Sequence, residues 1–101
     1  VTTVVQWEKE ALADKEAIYV YLCQEAGVEV AGTVDEKLDA MATLLEETPL
    51  AGVQAGKLPR QRKLVVPRLP FIMVYTVNAN AVRIMRLLHT ARNIVSRYRR
   101  H

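Results

Sequence analysis

Cysteine is almost missing from this chain of 101 residues: Cys23 stands alone. A single thiol cannot close an intrachain disulfide, which fits a reducing cytoplasm and leaves packing to hold the fold together. Cys23 itself reads as a small apolar side chain on a buried helix face rather than a reactive thiol. With one cysteine and two histidines there is no zinc-ligand cluster at a recognisable spacing, and no metal or other cofactor is expected. No apolar run approaches the ~20 residues of a membrane span, and the N-terminal stretch lacks the basic-then-apolar layout of a secretory signal. We therefore expect a soluble, cytoplasmic protein with no membrane partner. Neither G-x-x-x-x-G-K-[ST] nor G-x-G-x-x-G occurs, and internal repeats and low-complexity tracts are absent. A Ser-His-Asp or Cys-His nucleophile would have to be assembled from Ser96 near the C-terminus and a distant acid, or from Cys23 within a helix. A paired-carboxylate mechanism would draw on acids that read as solvated helix positions.

The most informative absence is of negative charge in the second half. The chain carries 14 Lys and Arg against 11 Asp and Glu, a net charge of only +3, yet all the acids lie between Glu8 and Glu47. Beyond Glu47 every charged residue is basic: Lys57, Arg60, Arg62, Lys63, Arg68, Arg83, Arg86, Arg92, Arg97, Arg99 and Arg100. Shuffling the signs gives such segregation in on the order of one arrangement in ten thousand, so it is a signal about partners rather than an ordinary mixed surface. Guanidinium forks hold their charge at any physiological pH and grip phosphate oxygens in two-point fashion. Such a set can dock nucleic acid, or stabilise a phosphorane-like transition state with Lys or Tyr moving protons.

At this length one small domain, residues 1–101, is expected. The organising stretch runs from Arg62 to Asn93. β-Branched and apolar residues fill it in three runs, Lys63 to Val66, Phe71 to Val77 and Ala81 to Leu88, broken by Pro67 and Pro70 and then by Asn78-Ala79-Asn80. This pattern predicts an antiparallel meander with a tight hairpin at the Asn-rich break, where Asn tolerates positive φ. Val1 to Gln6 predicts a further strand of the sheet, at its edge or within it. A first helix is expected from Trp7 to about Ala26, with Ala11, Ile18 and Leu22 on one face, ended by Gly27. In a second helix the row Val34, Leu38, Met41 and Leu45 marks the buried face. Thr33 and Glu36 have capping-box spacing, whereas a start at Val28 would put Gly32 inside the helix at about 1 kcal/mol relative to Ala. Pro49 ends this helix, and Leu50 to Pro59 reads as a loop. The residues beyond Leu88 read as a basic tail or short helix.

Four segments, in order and at suitable gaps, carry a resemblance: W-x3-A-L-A-D-x3-I-x2-Y-L from Trp7 to Leu22, T-P-L-A-G from Thr48 to Gly52, R-K-L-V-V-P with P-F-I-M-V-Y, and V-R-I-M-R-L-L-H-T-A-R from Val82 to Arg92. Together they resemble the ParE/RelE superfamily, the toxins of bacterial type II toxin-antitoxin modules, often labelled plasmid stabilisation proteins. The resemblance covers nearly the whole chain. It implies an α+β fold, a helical hairpin packed on a small twisted antiparallel sheet in the order βααβββ, matching the elements read above. It also implies a cognate antitoxin as partner, for which the acid-free half from Thr48 onward is a suitable surface.

The family divides by target. RelE-like members are ribosome-dependent mRNA endonucleases using basic residues and a tyrosine, whereas ParE-like members poison DNA gyrase without known nucleolytic chemistry. Matched by spacing from Tyr75, the RelE pattern implies Lys63, Arg92 and Tyr98 as catalytic candidates, while two further basic positions fall on Val65 and Ile72, which cannot bind phosphate. The long first helix and the R-L-L-H-T-A-R ending look more like the ParE branch. Residues expected to contact target or antitoxin are Arg60, Arg62, Arg68, Arg83, Arg86, His89, Arg97, Arg99 and Arg100, forming one unbroken cationic surface. His89 at a strand end has structural bonding to the backbone as its commoner role, with titration near neutrality as the other. Three functions follow: gyrase poisoning, mRNA cleavage on the ribosome, or a non-toxic nucleic-acid-binding module that charge alone would satisfy.

Overall fold

A computed structural model describes residues 3–79 and 81–90. Seven elements follow one another: β1 (Val4–Trp7), α1 (Lys9–Ala26), α2 (Val28–Glu47), β2 (Val53–Gln54), β3 (Gln61–Val65), β4 (Phe71–Asn78) and β5 (Ala81–His89). The strands form one sheet in the order β1-β5-β4-β3-β2. The expected α+β architecture of a helical hairpin on a meander is what forms, with two additions. Val53–Gln54, inside the expected loop, pairs antiparallel with Arg62 and Lys63 as an extra edge strand. Strands β2 to β5 alternate in direction, so the added reversal leaves β5 running parallel to β1, paired from Val4↔Ala81 to Trp7↔Ile84, and the sheet is mixed. Trp7 closes this strand instead of opening the helix, and the Glu8 amide extends the ladder by donating to the Ile84 carbonyl at 2.9 Å.

Burial along β4 alternates with period two. Phe71, Met73 and Tyr75 are buried while Ile72, Val74 and Thr76 are only half covered. This is the signature of a strand with one face on a core. Across the sheet, Val82, Ile84 and Leu87 join them, and from the helices come Ala11, Ala31, Val34, Leu38, Ala42 and Leu45. The row foreseen on α2 is therefore the core face, with Met41 at its margin. That helix starts at Val28, not at Thr33. The Thr33 hydroxyl donates to the Glu29 carbonyl at 3.1 Å, one turn back, so it bonds within the helix rather than capping it. Gly27, at φ +99°, separates the two helices and adopts a conformation that side chains disfavour. Cys23 is half-buried on α1. Lys15 joins the helices, its ammonium 2.8 Å from Asp35 and 3.3 Å from Asp39. Burial pulls the Lys15 pKa down, but the bonds to both carboxylates outweigh it and leave the pKa raised.

Two polar ties fix the layers. The buried Tyr75 hydroxyl accepts from the Gly52 amide at 2.8 Å and donates to the Pro49 carbonyl at 2.9 Å, pinning the loop after α2 to the sheet. Glycine is required at 52 because a Cβ there would collide with the Lys63 carbonyl oxygen. The second tie is Asp14 of α1. It accepts from Arg86 Nε at 2.6 Å, from Arg86 Nη2 at 3.0 Å and from the Leu87 amide at 3.0 Å, where β5 has run past the end of β1. A bulge between Val74 and Tyr75 in the β4–β5 register lies beside this point.

Two turns hold non-glycine residues at positive φ. Val66 to Leu69 is a β-turn closed by the Leu69 amide on the Val66 carbonyl, with Pro67 second and Arg68 third at φ +66°. Pro67 pre-sets the second position, and Arg68 occupies the place where type II turns favour Gly. In the β4–β5 hairpin Ala79 lies at φ +43°, with Asn80 outside the described residues.

Three substitutions test these assignments by urea unfolding. Asp14→Ala should cost about 1–3 kcal/mol, because it removes the acceptor of a guanidinium and of a backbone amide at once. Tyr75→Phe should cost about 1–3 kcal/mol by leaving the Gly52 amide unsatisfied in a buried place. Ala79→Gly should instead stabilise, by up to about 1 kcal/mol, since glycine adopts left-handed backbone without the Cβ penalty.

Candidate functional site

The alternation that buries one face of the sheet leaves the other without a helix over it among the described residues. Cross-strand pairing orders this open face into rows. Val65, Ile72 and Leu88 form one, Val53, Lys63, Val74 and Arg86 the next, and Gln61, Thr76 and Arg83 the third. Lys63 and Arg83 are exposed and have no acidic partner among the described residues. Val53 and Val65 are 61% and 59% exposed, an unusual accessibility for valines on a sheet.

The expectation of one unbroken cationic surface does not hold for the described cations. Arg62 turns to the side of Tyr75, where Nη1 donates to the Gly52 carbonyl at 2.6 Å and reaches the Leu50 carbonyl at 3.5 Å. Arg86 is engaged by Asp14, and those hydrogen bonds, against partial burial, raise its pKa further. Arg60 donates to Asn78 Oδ1 at 2.6 Å at the hairpin end, and Arg68 sits exposed in its turn. Of the described cations in the open-face register, Lys63 and Arg83 are the two without an acidic partner, with β4 between them, whereas Arg86 is drawn off to Asp14. The physical reason is that strand side chains alternate and that long guanidinium arms reach the nearest acceptors, so cations adjacent in sequence part company in space. Arg92, Arg97, Tyr98, Arg99 and Arg100 lie outside the described residues, so the proposed trio of Lys63, Arg92 and Tyr98 has one member within them. His89 faces the helix side, its ring 5.1 Å from that of Phe71 at an interplanar angle of 84°.

That histidine borders a feature the sequence reading missed. A cleft of about 230 Å³ opens between α1 and the sheet, lined by Ile18, Leu22, Val34, Leu69, Phe71 and Leu87, with Asp14 and Arg86 at its polar rim. Its signal in the sequence is that Ala17 and Tyr21 of α1, beside the expected Ile18 and Leu22, widen the apolar face of that helix. Among the described residues there is no cluster of His, Cys, Asp and Glu able to hold a metal ion, and no helix long and apolar enough to cross a membrane.

Comparison with known proteins bears on these surfaces. The structure is similar to the chromosomal ParDE toxin-antitoxin system of P. aeruginosa, with a TM-score of 0.77 at 22% identity over 87% of this chain and 96% of that one. It is also similar to the isolated E. coli RelE toxin, with a TM-score of 0.65 at 18% identity over 96% of this chain and 94% of that one. A third similar structure is the E. coli DinJ-YafQ toxin-antitoxin complex, at 0.58 and 18% identity over 88% of this chain and 93% of the matched chain. No curated protein sequence matches the chain. The family described as ParE toxin of type II toxin-antitoxin system, parDE, matches residues 5–94. With nearly the whole chain matched, this protein belongs to the ParE toxin family of type II toxin-antitoxin systems.

Proposed function

We propose that this toxin poisons DNA gyrase and is neutralised by a cognate antitoxin. The observation that carries the choice of target is the chemistry of the open face. An RNA-cleaving surface needs several cations arranged around a phosphate and groups able to move protons. Here the rows hold Val65, Ile72 and Leu88, and Val53 and Val74 on either side of Lys63, with no aromatic residue among them. The two positions where the nuclease pattern expects further cations, Val65 and Ile72, are direct cross-strand neighbours. A phosphate there would meet two aliphatic side chains. Such a face favours contact with protein over chemistry on RNA.

The antitoxin reading is supported by the two toxin-antitoxin systems among the similar structures and by the cleft beside α1. A concave apolar site with a few polar groups at its rim suits the side chains of an amphipathic segment. The acids lie on the helical layer, and the described sheet strands carry cations and no acid, which would orient a partner with both signs of charge.

A second reading, ribosome-dependent mRNA cleavage with Lys63 and Arg92 stabilising charge and Tyr98 in proton transfer, keeps support from the fold shared with RelE. The readings separate on expression in a bacterial host. Gyrase poisoning should produce DNA damage and filamentation, with loss of supercoiling by purified gyrase, and Tyr98→Phe should leave toxicity within about threefold. Rapid mRNA cleavage, abolished by Tyr98→Phe in a protein that still folds, would replace this reading with the second.

A further inference from the structure

We infer that the open face of the sheet is the surface this chain applies to its protein target, and that it recognises an acidic protein surface bearing apolar side chains. The inference rests on the toxin reading above and assigns a place to the action that reading proposes. Six residues of the face carry it, Lys63 and Val65 on β3, Ile72 and Val74 on β4, Arg83 and Leu88 on β5, with Gln61 and Thr76 beside them.

The partner's chemistry follows from what the face has and lacks. Lys63 and Arg83 are exposed and without acidic partners among the described residues, and no strand of the sheet contains an acid. Every acid lies between Glu8 and Glu47, from the residue after β1 to the end of α2. Only a ligand that brings its own negative charge complements such a face. A nucleic acid brings charge too, but sheets that bind single strands place aromatic rings under the bases. On this sheet the described aromatics Trp7, Phe71 and Tyr75 are all turned to the helix side, where they are buried or packed on the core. Between the two cations β4 places Val74 and Thr76, and on the far side of Lys63 the face is aliphatic, with Val65, Ile72 and Leu88. Phosphates gain nothing from Val65, Ile72 and Val74, whereas a protein surface with carboxylates around apolar side chains satisfies both parts of the face.

Shape separates this surface from the antitoxin's proposed place. The cleft beside α1 is concave and its apolar lining accepts inserted side chains, whereas the rows of the open face spread over adjacent strands and suit contact with a folded partner. The two lie on opposite sides of the sheet, since the cleft is lined by Phe71 and Leu87 of the buried face.

The test uses the full chain and two sets of exposed positions. Lys63→Glu with Arg83→Glu reverses the charge of the open face, Val65→Glu disturbs its apolar part, and Lys37→Glu on α2 is a control on the helical layer. Each variant is checked for wild-type unfolding, then assayed for gyrase inhibition, for affinity to the antitoxin that rescues growth, for binding of single-stranded RNA and duplex DNA oligonucleotides, and for self-association by sedimentation. The inference expects gyrase inhibition to fall at least tenfold in the double variant and in Val65→Glu, with affinity for the antitoxin changed less than threefold and Lys37→Glu behaving as wild type. Unchanged inhibition overturns it. So does a loss of antitoxin affinity in the open-face variants, which would hand the face to the antitoxin. Tight oligonucleotide binding abolished by the double variant, or a wild-type dimer that the variant dissolves, would overturn it in favour of nucleic acid or a second copy. A wild-type chain that leaves gyrase untouched brings down the target reading itself, before any variant is compared.

Discussion

The period-two alternation of β4 is the constraint on which the rest of the molecule depends. Phe71, Met73 and Tyr75 must all face one way, and the helical hairpin can cover only that way. A shift of register by one residue would send the entire apolar set to solvent, so the pairing of β4 with β3 and β5 is strongly specified. Once it is set, cross-strand pairing dictates the face of every neighbour. Leu64 and Leu87 join the core, while Lys63 and Arg83 are excluded from it. The polar ties act on the same frame. Tyr75 reaches from the buried side to hold Gly52 and Pro49, and Asp14 takes up the β5 amide left over where β1 stops.

This geometry changes the meaning of the charge segregation. Read along the chain, the cations beyond Glu47 look like one binding surface. In space they divide by task. Arg62 and Arg86 hold a loop and a helix through bonds to carbonyls and a carboxylate. Lys63 and Arg83 are the two without an acidic partner among the described residues, and it is to them that we assign a partner. The acids have a matching division, with Asp14, Asp35 and Asp39 engaged inside the helical layer or across to the sheet. Part of the charge asymmetry is therefore spent within and between the two layers.

Much of the fold was legible because its signals are periodic. The row Val34, Leu38, Leu45 and the β4 run survive as elements whose apolar spacing admits one reading. Errors gathered where a signal was local or short. Thr33 offered a plausible cap, but apolar Val30 and buried Ala31 extend the helix face upstream, and Gly32 is tolerated inside it. The two residues of β2 are too few to show any alternation, and missing them concealed the reversal that makes β5 parallel to β1. The candidate site was less legible. Which arginines are available depends on reach to Gly52, Asn78 and Asp14, partners far away in sequence. The cleft depends on a gap between α1 and β5 that no spacing rule describes.

The central claim is that the sheet has one face for the core and another for a protein target. Thiol labelling of single cysteines in a Cys23→Ser background measures this directly, at positions 65, 74 and 83 on one side and 73 and 75 on the other. The account predicts fast labelling at the first three, slow labelling at the last two, and protection of 65, 74 and 83 when gyrase is added. Labelling without that alternation, or open-face thiols that stay equally reactive while gyrase is inhibited, would contradict it.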